Sequence, residues 1–224
     1  NGITYNNIAK GIAFNSGTAA RFTQSVWNNA TVGANSQVGE AASLELGVKF
    51  KANVPGKING IRFYKHAANT GIHSGSLWTT EGGLIATAQF NNETASGWQE
   101  VIFSSPVRIE PGKVYVASYF TPTGAYAATL DAFLSPLSSN GGLLSIPSVE
   151  EAGGNGLYKY SNRSDFPDQV SNGGANYWVD VVFDPDTTIA SMPFTLSRIV
   201  SGAGCVSDLD TSSVGAAAIL PNIQ

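Results

Sequence analysis

Apolar and polar residues alternate along Leu44–Lys51: Leu44, Leu46, Val48 and Phe50 are interleaved with Glu45, Gly47, Lys49 and Lys51. A period of two puts the first set on one face of an extended strand and the second set on the other, so the odd positions are expected to face water. After a Pro55-Gly56 turn, Ile58, Ile61 and Phe63 resume the pattern beside Arg62, Tyr64 and Lys65. Far downstream, Tyr177–Phe183 reads as a strand buried on nearly both faces. Between these runs, turn signals recur at Glu81-Gly82-Gly83, Ser96-Gly97, Pro111-Gly112, Asn140-Gly141-Gly142, Gly153–Gly156 and Asn172-Gly173-Gly174. Gly75–Thr79 and Leu84–Phe90 form an expected hairpin across the Gly pair. Trp98–Phe103 and Val114–Tyr119 are strands joined by a Pro-Val-Arg-Ile-Glu-Pro-Gly connection, and Tyr126–Thr129 and Tyr158–Tyr160 are weaker strands. No stretch of helical length carries a 3.6-residue stripe. The pattern predicts an all-β chain in which two antiparallel sheets pack face to face.

Three regions follow: an N-terminal extension over 1–43, a patterned core over 44–184, and a C-terminal extension over 185–224. Both extensions are rich in small residues yet hold too many apolar ones for a plain linker. They are expected to add edge strands, either to their own sandwich or to that of a neighbouring molecule.

Composition narrows the function. The chain has 224 residues, of which 42% are hydrophobic and only 12% charged. That charged share is about half the usual one, so Ser, Thr, Asn and Gly must supply solubility, as in many secreted and cell-surface β-proteins. A net charge of −4 without a cationic cluster argues against nucleic acid. It also offers no basic patch to an anionic membrane, and no run is long enough to insert in one. The single Cys205 excludes an internal disulfide.

The core segments share a further property. Leu44–Phe50, Gly60–Lys65, Asn69–Trp78, Thr94–Gln99, Tyr115–Tyr119 and Tyr177–Phe183, in that order, resemble a family of secreted bacterial modules known only as a domain of unknown function (four-zero-eight-two). The resemblance covers about residues 44–184. It implies a β-sandwich of fibronectin- or jelly-roll-like appearance within larger surface or exported proteins. It carries over no activity and no catalytic residue.

Candidate chemistry is sparse. Cys205 is far in sequence from His66 and His73 and reads as a packed thiol rather than a nucleophile. Glu150-Glu151 reads as loop charge. Two histidines seven residues apart give no zinc pattern. The carboxylates of Asp184 and Asp186, of Asp208 and Asp210, and of Asp165 and Asp168 leave a structural calcium ion open as the one cofactor. Asp180, inside Trp-Val-Asp-Val-Val, must be paired if buried, and Arg62 between Ile61 and Phe63 is the expected partner. That pair serves either as a clamp between strands or as a polar floor beneath a ligand. Trp98 and Trp178 read as core filling. Tyr64, Lys65, His73 and Trp78 form the expected ligand-binding set, with the rings as stacking surfaces for sugar. The expectation is a non-catalytic, secreted or cell-surface module for adhesion or carbohydrate binding, with a surface glycan as partner. The alternative is a structural subunit of a surface layer or filament that self-associates by strand exchange through its ends.

Overall fold

The computed structural model describes residues 23–31, 33, 37–39 and 42–186, which fall in one compact unit, Phe22–Asp186. The expected strands over 1–22 and 187–224, with Cys205, Asp208 and Asp210, lie outside the described residues.

The described residues fold as an all-β structure of thirteen strands: β1 (Gln37–Gly39), β2 (Leu44–Ala52), β3 (Gly56–Lys65), β4 (Ser74–Thr79), β5 (Leu84–Gln89), β6 (Gly97–Ile109), β7 (Val114–Thr121), β8 (Ala125–Ala127), β9 (Leu137–Ser138), β10 (Leu144–Ile146), β11 (Leu157–Tyr160), β12 (Gln169–Val170) and β13 (Val179–Pro185). A large sheet runs β12-β11-β2-β7-β4-β5, with β10 and β9 continuing from β2. A smaller sheet, β13-β3-β6, faces it, and β1 pairs with β8 as a separate ribbon. Every pairing is antiparallel. The structure is a β-sandwich.

The core between the sheets is the one the alternation announces. Leu44, Leu46, Val48 and Phe50 are buried, as are Ile58, Ile61, Phe63, Val179, Val181 and Phe183 from the facing sheet. Phe63 stacks on Tyr119 of the opposite sheet with ring centroids 4.1 Å apart. Full burial of one such side chain stabilises by about 1.5–3 kcal/mol. The uneven spacing of Ile58, Ile61 and Phe63 has a cause in β6. Ile58 pairs with Val107 and Gly60 with Ile102, so four residues of β6 stand opposite Asn59 alone. The irregularity switches the phase of β3 by one residue. Gly60 permits it, since a Cβ there would sit 2.0 Å from the Val101 carbonyl oxygen. Pro106 falls in this irregularity, where a missing N–H costs least. The expected connection at Pro106–Gly112 is therefore mostly strand.

Two expectations need correction. The first concerns the odd positions of β2. Glu45 and Gly47 are buried rather than wet, because the chain after β10 returns over the outer face of the large sheet. Pro167 lies against Gly47, and Phe166 packs edge-on against Trp78 at 5.8 Å, with Val116 and Leu157 beside them. The second concerns the last strand, which begins at Val179. Trp178 has φ +56°, a left-handed conformation rarely adopted by a bulky residue, and so breaks the extended run.

One side chain substitutes for strand. β11 pairs with Leu44–Gly47 of β2 and β10 with Lys51–Ala52, which leaves a gap at Lys49. The buried Asn155 fills it: its Oδ1 accepts from Lys49 N at 2.9 Å, and its Nδ2 donates to Lys49 O at 3.1 Å and Pro147 O at 2.9 Å.

Candidate functional site: an aromatic and arginine cluster on the small sheet

On the outer face of β13-β3-β6, cross-strand register sets the neighbours. Arg62 pairs with Asp180 on one side and Glu100 on the other, and Tyr64 pairs with Trp98. Trp178, one residue before β13, joins this face. Residues 23–31 and Gly33 lie along it. Gln24 exchanges backbone hydrogen bonds with Phe183 at 2.6 and 2.8 Å, so the segment enters along the open edge of β13.

The contacts that hold this segment are polar and specific. Val26 N and Trp27 N donate to the two carboxylate oxygens of Asp180 at 2.9 and 3.0 Å, and Val181 N donates to Oδ1 at 2.8 Å. Arg62 Nη1 donates to Asn29 Oδ1 at 2.9 Å and Nη2 to the Trp27 carbonyl at 3.3 Å. Trp98 Nε1 donates to the Thr31 carbonyl at 2.9 Å. Gly33 lies against the Tyr64 ring, where a Cβ would come within 2.6 Å. Arg62 Nε stands 3.7 Å from Asp180 Oδ2, an ion pair with both side chains buried. Burial pushes the Asp180 carboxyl up to about 6, against Arg62 and the three amides that hold it down. At neutral pH it remains the anion that three N–H donors require. Arg62 is lowered by burial and held up by Asp180 and Glu100. Its guanidinium stays charged.

Around this pair the rings converge. Arg62 Cζ lies 4.1 Å from the Trp98 ring centroid, a cation–π contact. Trp27 stacks offset on Trp98 at 6.3 Å and tilts over Trp178 at 5.5 Å, while Tyr64 meets Trp98 edge-on at 5.6 Å. Of the chain's 4 tryptophans only Trp78 is elsewhere. The cluster opens on a cleft of about 340 Å³ lined by Asn29, Arg62, Trp98, Gln99 and Glu100. Asn29 and Glu100 are exposed at its mouth, and Trp27, Tyr64 and Trp98 are half-buried.

The other expected ligand residues do not join Tyr64 here. Trp78 is on the outer face of the large sheet beneath Phe166 and is buried. Its Nε1 donates to Ser118 Oγ at 2.7 Å, and the Ser118 hydroxyl donates to Glu45. Its ring offers no stacking surface to a ligand. Lys65 and His73 lie between the sheets. Lys65 Nζ is 2.7 Å from Glu93 Oε2, and His73 Nδ1 is 2.8 Å from Glu93 Oε1. Burial lowers the His73 pKa against the pull of Glu93, so the imidazole is neutral and Nδ1 carries the proton that Glu93 accepts. Nε2, 2.8 Å from the Asn69 side chain, must then accept, which requires Asn69 to present its NH₂. In the opposite amide orientation Asn69 Nδ2 and the Tyr119 hydroxyl are both buried without partners. The NH₂-to-His73 orientation turns Oδ1 toward Tyr119 and supplies both. The network is a satisfied polar plug with His73 fully buried.

A family model described as a domain of unknown function (DUF4082) matches residues 11–179, about three quarters of the chain. The chain belongs to the DUF4082 family. The match begins well upstream of residue 44, so the DUF4082 span takes in Trp27 and Asn29 and ends one residue short of Asp180. No protein of curated function matches the chain.

The reading of Trp98 as core filling is corrected: it stands half-buried on the outer face of the small sheet, whereas Trp178 is buried as expected, though on that same outer face. Trp98 is in phase with Glu100 and Ile102 and out of phase with the buried Phe103, which marks an outer face rather than the core. Asn29 and Gln99 carry no signal of their own, since only the fold brings residue 29 to residue 98. Among the described residues no group of three or more His, Cys, Asp or Glu is placed to hold a metal ion. Among the described residues no helix is long and apolar enough to cross a membrane.

Proposed function

We propose that this DUF4082 module is a non-catalytic, secreted or cell-surface binding module that takes carbohydrate in the cleft at Trp98. The observation that supports it most is the half-buried Trp98 ring with Arg62 fixed against it and Asn29 and Glu100 exposed at the same mouth. Sugar presents apolar C–H faces and a ring of hydroxyls. Flat aromatic surface suits the first, and a paired donor and acceptor suit the second. Asn29 Nδ2 is the donor and the Glu100 carboxylate the acceptor. Arg62, locked by Asn29, Trp27 and Asp180, supplies a rigid floor, so little ordering remains to be done on binding. The low charge of the chain agrees with a neutral, hydroxyl-rich ligand.

A glycan array probed with the full chain tests the proposal, followed by titration of any hit. Asn29→Ala and Glu100→Ala alter exposed side chains and should each weaken binding about tenfold, or ~1.4 kcal/mol. Trp78→Ala, on the opposite side of the sandwich, should leave affinity unchanged in the folded fraction. An array without a hit, or a hit indifferent to Asn29 and Glu100, refutes this seat. The strand-exchange alternative rests on terminal residues outside the described ones.

A further inference from the structure

After β11 the chain crosses back over the outer face of the large sheet before it reaches β12. Ser161 anchors the start of this crossing: its amide donates to the Ser43 carbonyl at 3.2 Å, and its carbonyl accepts from the Ser43 hydroxyl at 2.7 Å. Gln169 anchors the end by pairing with Tyr158. Between these points the backbone of residues 162–168 pairs with no other backbone group among the described residues. Side-chain contacts hold it down. Phe166 meets Trp78 edge-on, Pro167 lies on Gly47, and the Ser164 hydroxyl is 3.4 Å from that of Ser76. The remaining contact is to Glu45, whose carboxyl Ser164 and the Asp165 amide both reach. A segment fixed at both ends and without backbone bonds in its middle can lift without breaking either sheet.

Glu45 makes that lifting depend on protons. Its carboxyl is fully buried, and among the described residues no cation pairs with it. Lys159, its register partner on β11, gives its ammonium to Asp165 and Asp168 at 3.1 Å each. Lys49, on β2 itself, donates to the Ala152 carbonyl. Of the other elements packed there, β4 brings only Ser76 and Trp78, β7 brings Ser118 and the Tyr119 phenol, and the crossing adds Arg163. Asp168 and Asp165 hold Lys159 above its ordinary value, Lys159 holds Asp165 below its own, and burial keeps Tyr119 far above, so none of these three titrates where Glu45 does. A buried carboxylate without a counter-charge is costly, so closure requires the neutral acid. Water that reaches the carboxyl in the lifted state restores its ordinary 4.5, against about 8 when it is covered. The covered state therefore holds a proton that the lifted state has released, and the ratio of lifted to covered rises about tenfold per pH unit across that interval.

We propose that residues 162–168 form a flap over Trp78, which Glu45 latches while protonated and releases as the pH rises. Hydrogen exchange of the full chain, followed by NMR from about pH 6 to 8 and corrected for the intrinsic rate, tests it on the Asp165 amide, with the paired Phe63 and Val181 amides as core references. The Asp165 amide should be less protected than the core amides at every pH and lose about tenfold in protection per pH unit. Its protection should be unchanged in dilute urea, as for a local opening that exposes little surface. Glu45→Gln should flatten the pH dependence. Phe166→Ala removes an apolar contact and leaves the carboxyl in place. It should lower the protection and keep the pH dependence, so that failure of one variant to fold does not decide the matter. An Asp165 amide that exchanges only together with the core overturns the proposal, as does protection that is constant with pH. A pH dependence that survives in Glu45→Gln, or wild-type protection in Phe166→Ala, overturns it equally.

Discussion

Glu45 shows how one residue ties the pH response of the molecule to its packing. Its carboxyl is buried among Trp78, Ser118 and the returning chain, and burial pushes its pKa from 4.5 up to about 8, with hydrogen bonds from Ser118 and Ser164 opposing the shift. The native state therefore keeps a proton that the unfolded chain has released over the whole interval from 4.5 to about 8. Stability falls as pH rises through that interval, and the contribution is flat below and above it. At ~1.36 kcal/mol per unit, the loss is on the order of 5 kcal/mol. Glu45→Gln should therefore be more stable than the wild type at pH 8 and within about 1 kcal/mol of it at pH 4. The difference between their urea midpoints across pH isolates Glu45 from Asp180, which acts in the same sense, and from His73, which acts in the opposite one. Parallel curves for the two proteins would show that Glu45 does not titrate in this way. Nothing in the alternation of β2 foretells this burial. The cover comes from Phe166 and Pro167, more than a hundred positions away, and a strand's own pattern cannot announce what packs on its far side.

At the level of strands, what was readable followed from local chemistry. The long alternating runs of β2 and β3, the Gly82-Gly83 hairpin and the buried Val181–Phe183 stretch of β13 carry their own pattern and turn residues. The continuation of β6 through Pro106 was hidden because proline reads as a strand breaker until an irregularity accommodates it. The start of β13 was hidden because a left-handed Trp178 contradicts its own preference and is held by neighbours: Asn176 accepts from its amide at 2.8 Å and its carbonyl accepts from Tyr64 N at 2.9 Å. The gap beside β2 was equally invisible, since it exists only through the placement of β10 and β11. Asn155 closes it with hydrogen bonds to the Lys49 amide and carbonyl and to the buried Pro147 carbonyl. Asn155→Ala should cost about 2–4 kcal/mol, the penalty for leaving several buried backbone groups unpaired. Chemical denaturation measures it, and a loss below about 0.5 kcal/mol would mean that water takes over the role.

For the molecule as a whole, the sandwich separates its tasks by face. The outer face of the small sheet holds residues 23–31, Gly33 and the cleft at Trp98. The outer face of the large sheet is closed by the returning chain. Asn155 bears on the molecule in a further way, through time. It precedes Gly156, and an Asn-Gly sequence ages chemically when the glycine nitrogen attacks the side-chain carbonyl and expels ammonia to close a cyclic imide, which water then opens to aspartate or its isomer. In the native fold that nitrogen donates to Asn155 Oδ1 at 2.8 Å, and the Ala175 backbone crowds Gly156. Ring closure has no room there, so the reaction is expected only while the chain is open. An aspartate at 155 would then face the Lys49 and Pro147 carbonyls with oxygens alone. Prolonged incubation in denaturant should cost refolding yield in step with conversion at 155 measured by peptide mapping, whereas folded protein stored equally long should stay intact. Equal conversion in the two samples would disprove the protection. Each excursion to the open state would thus carry a chance of being the last, and repeated unfolding would leave a chemical record at Asn155 as at the chain's other Asn-Gly sequences.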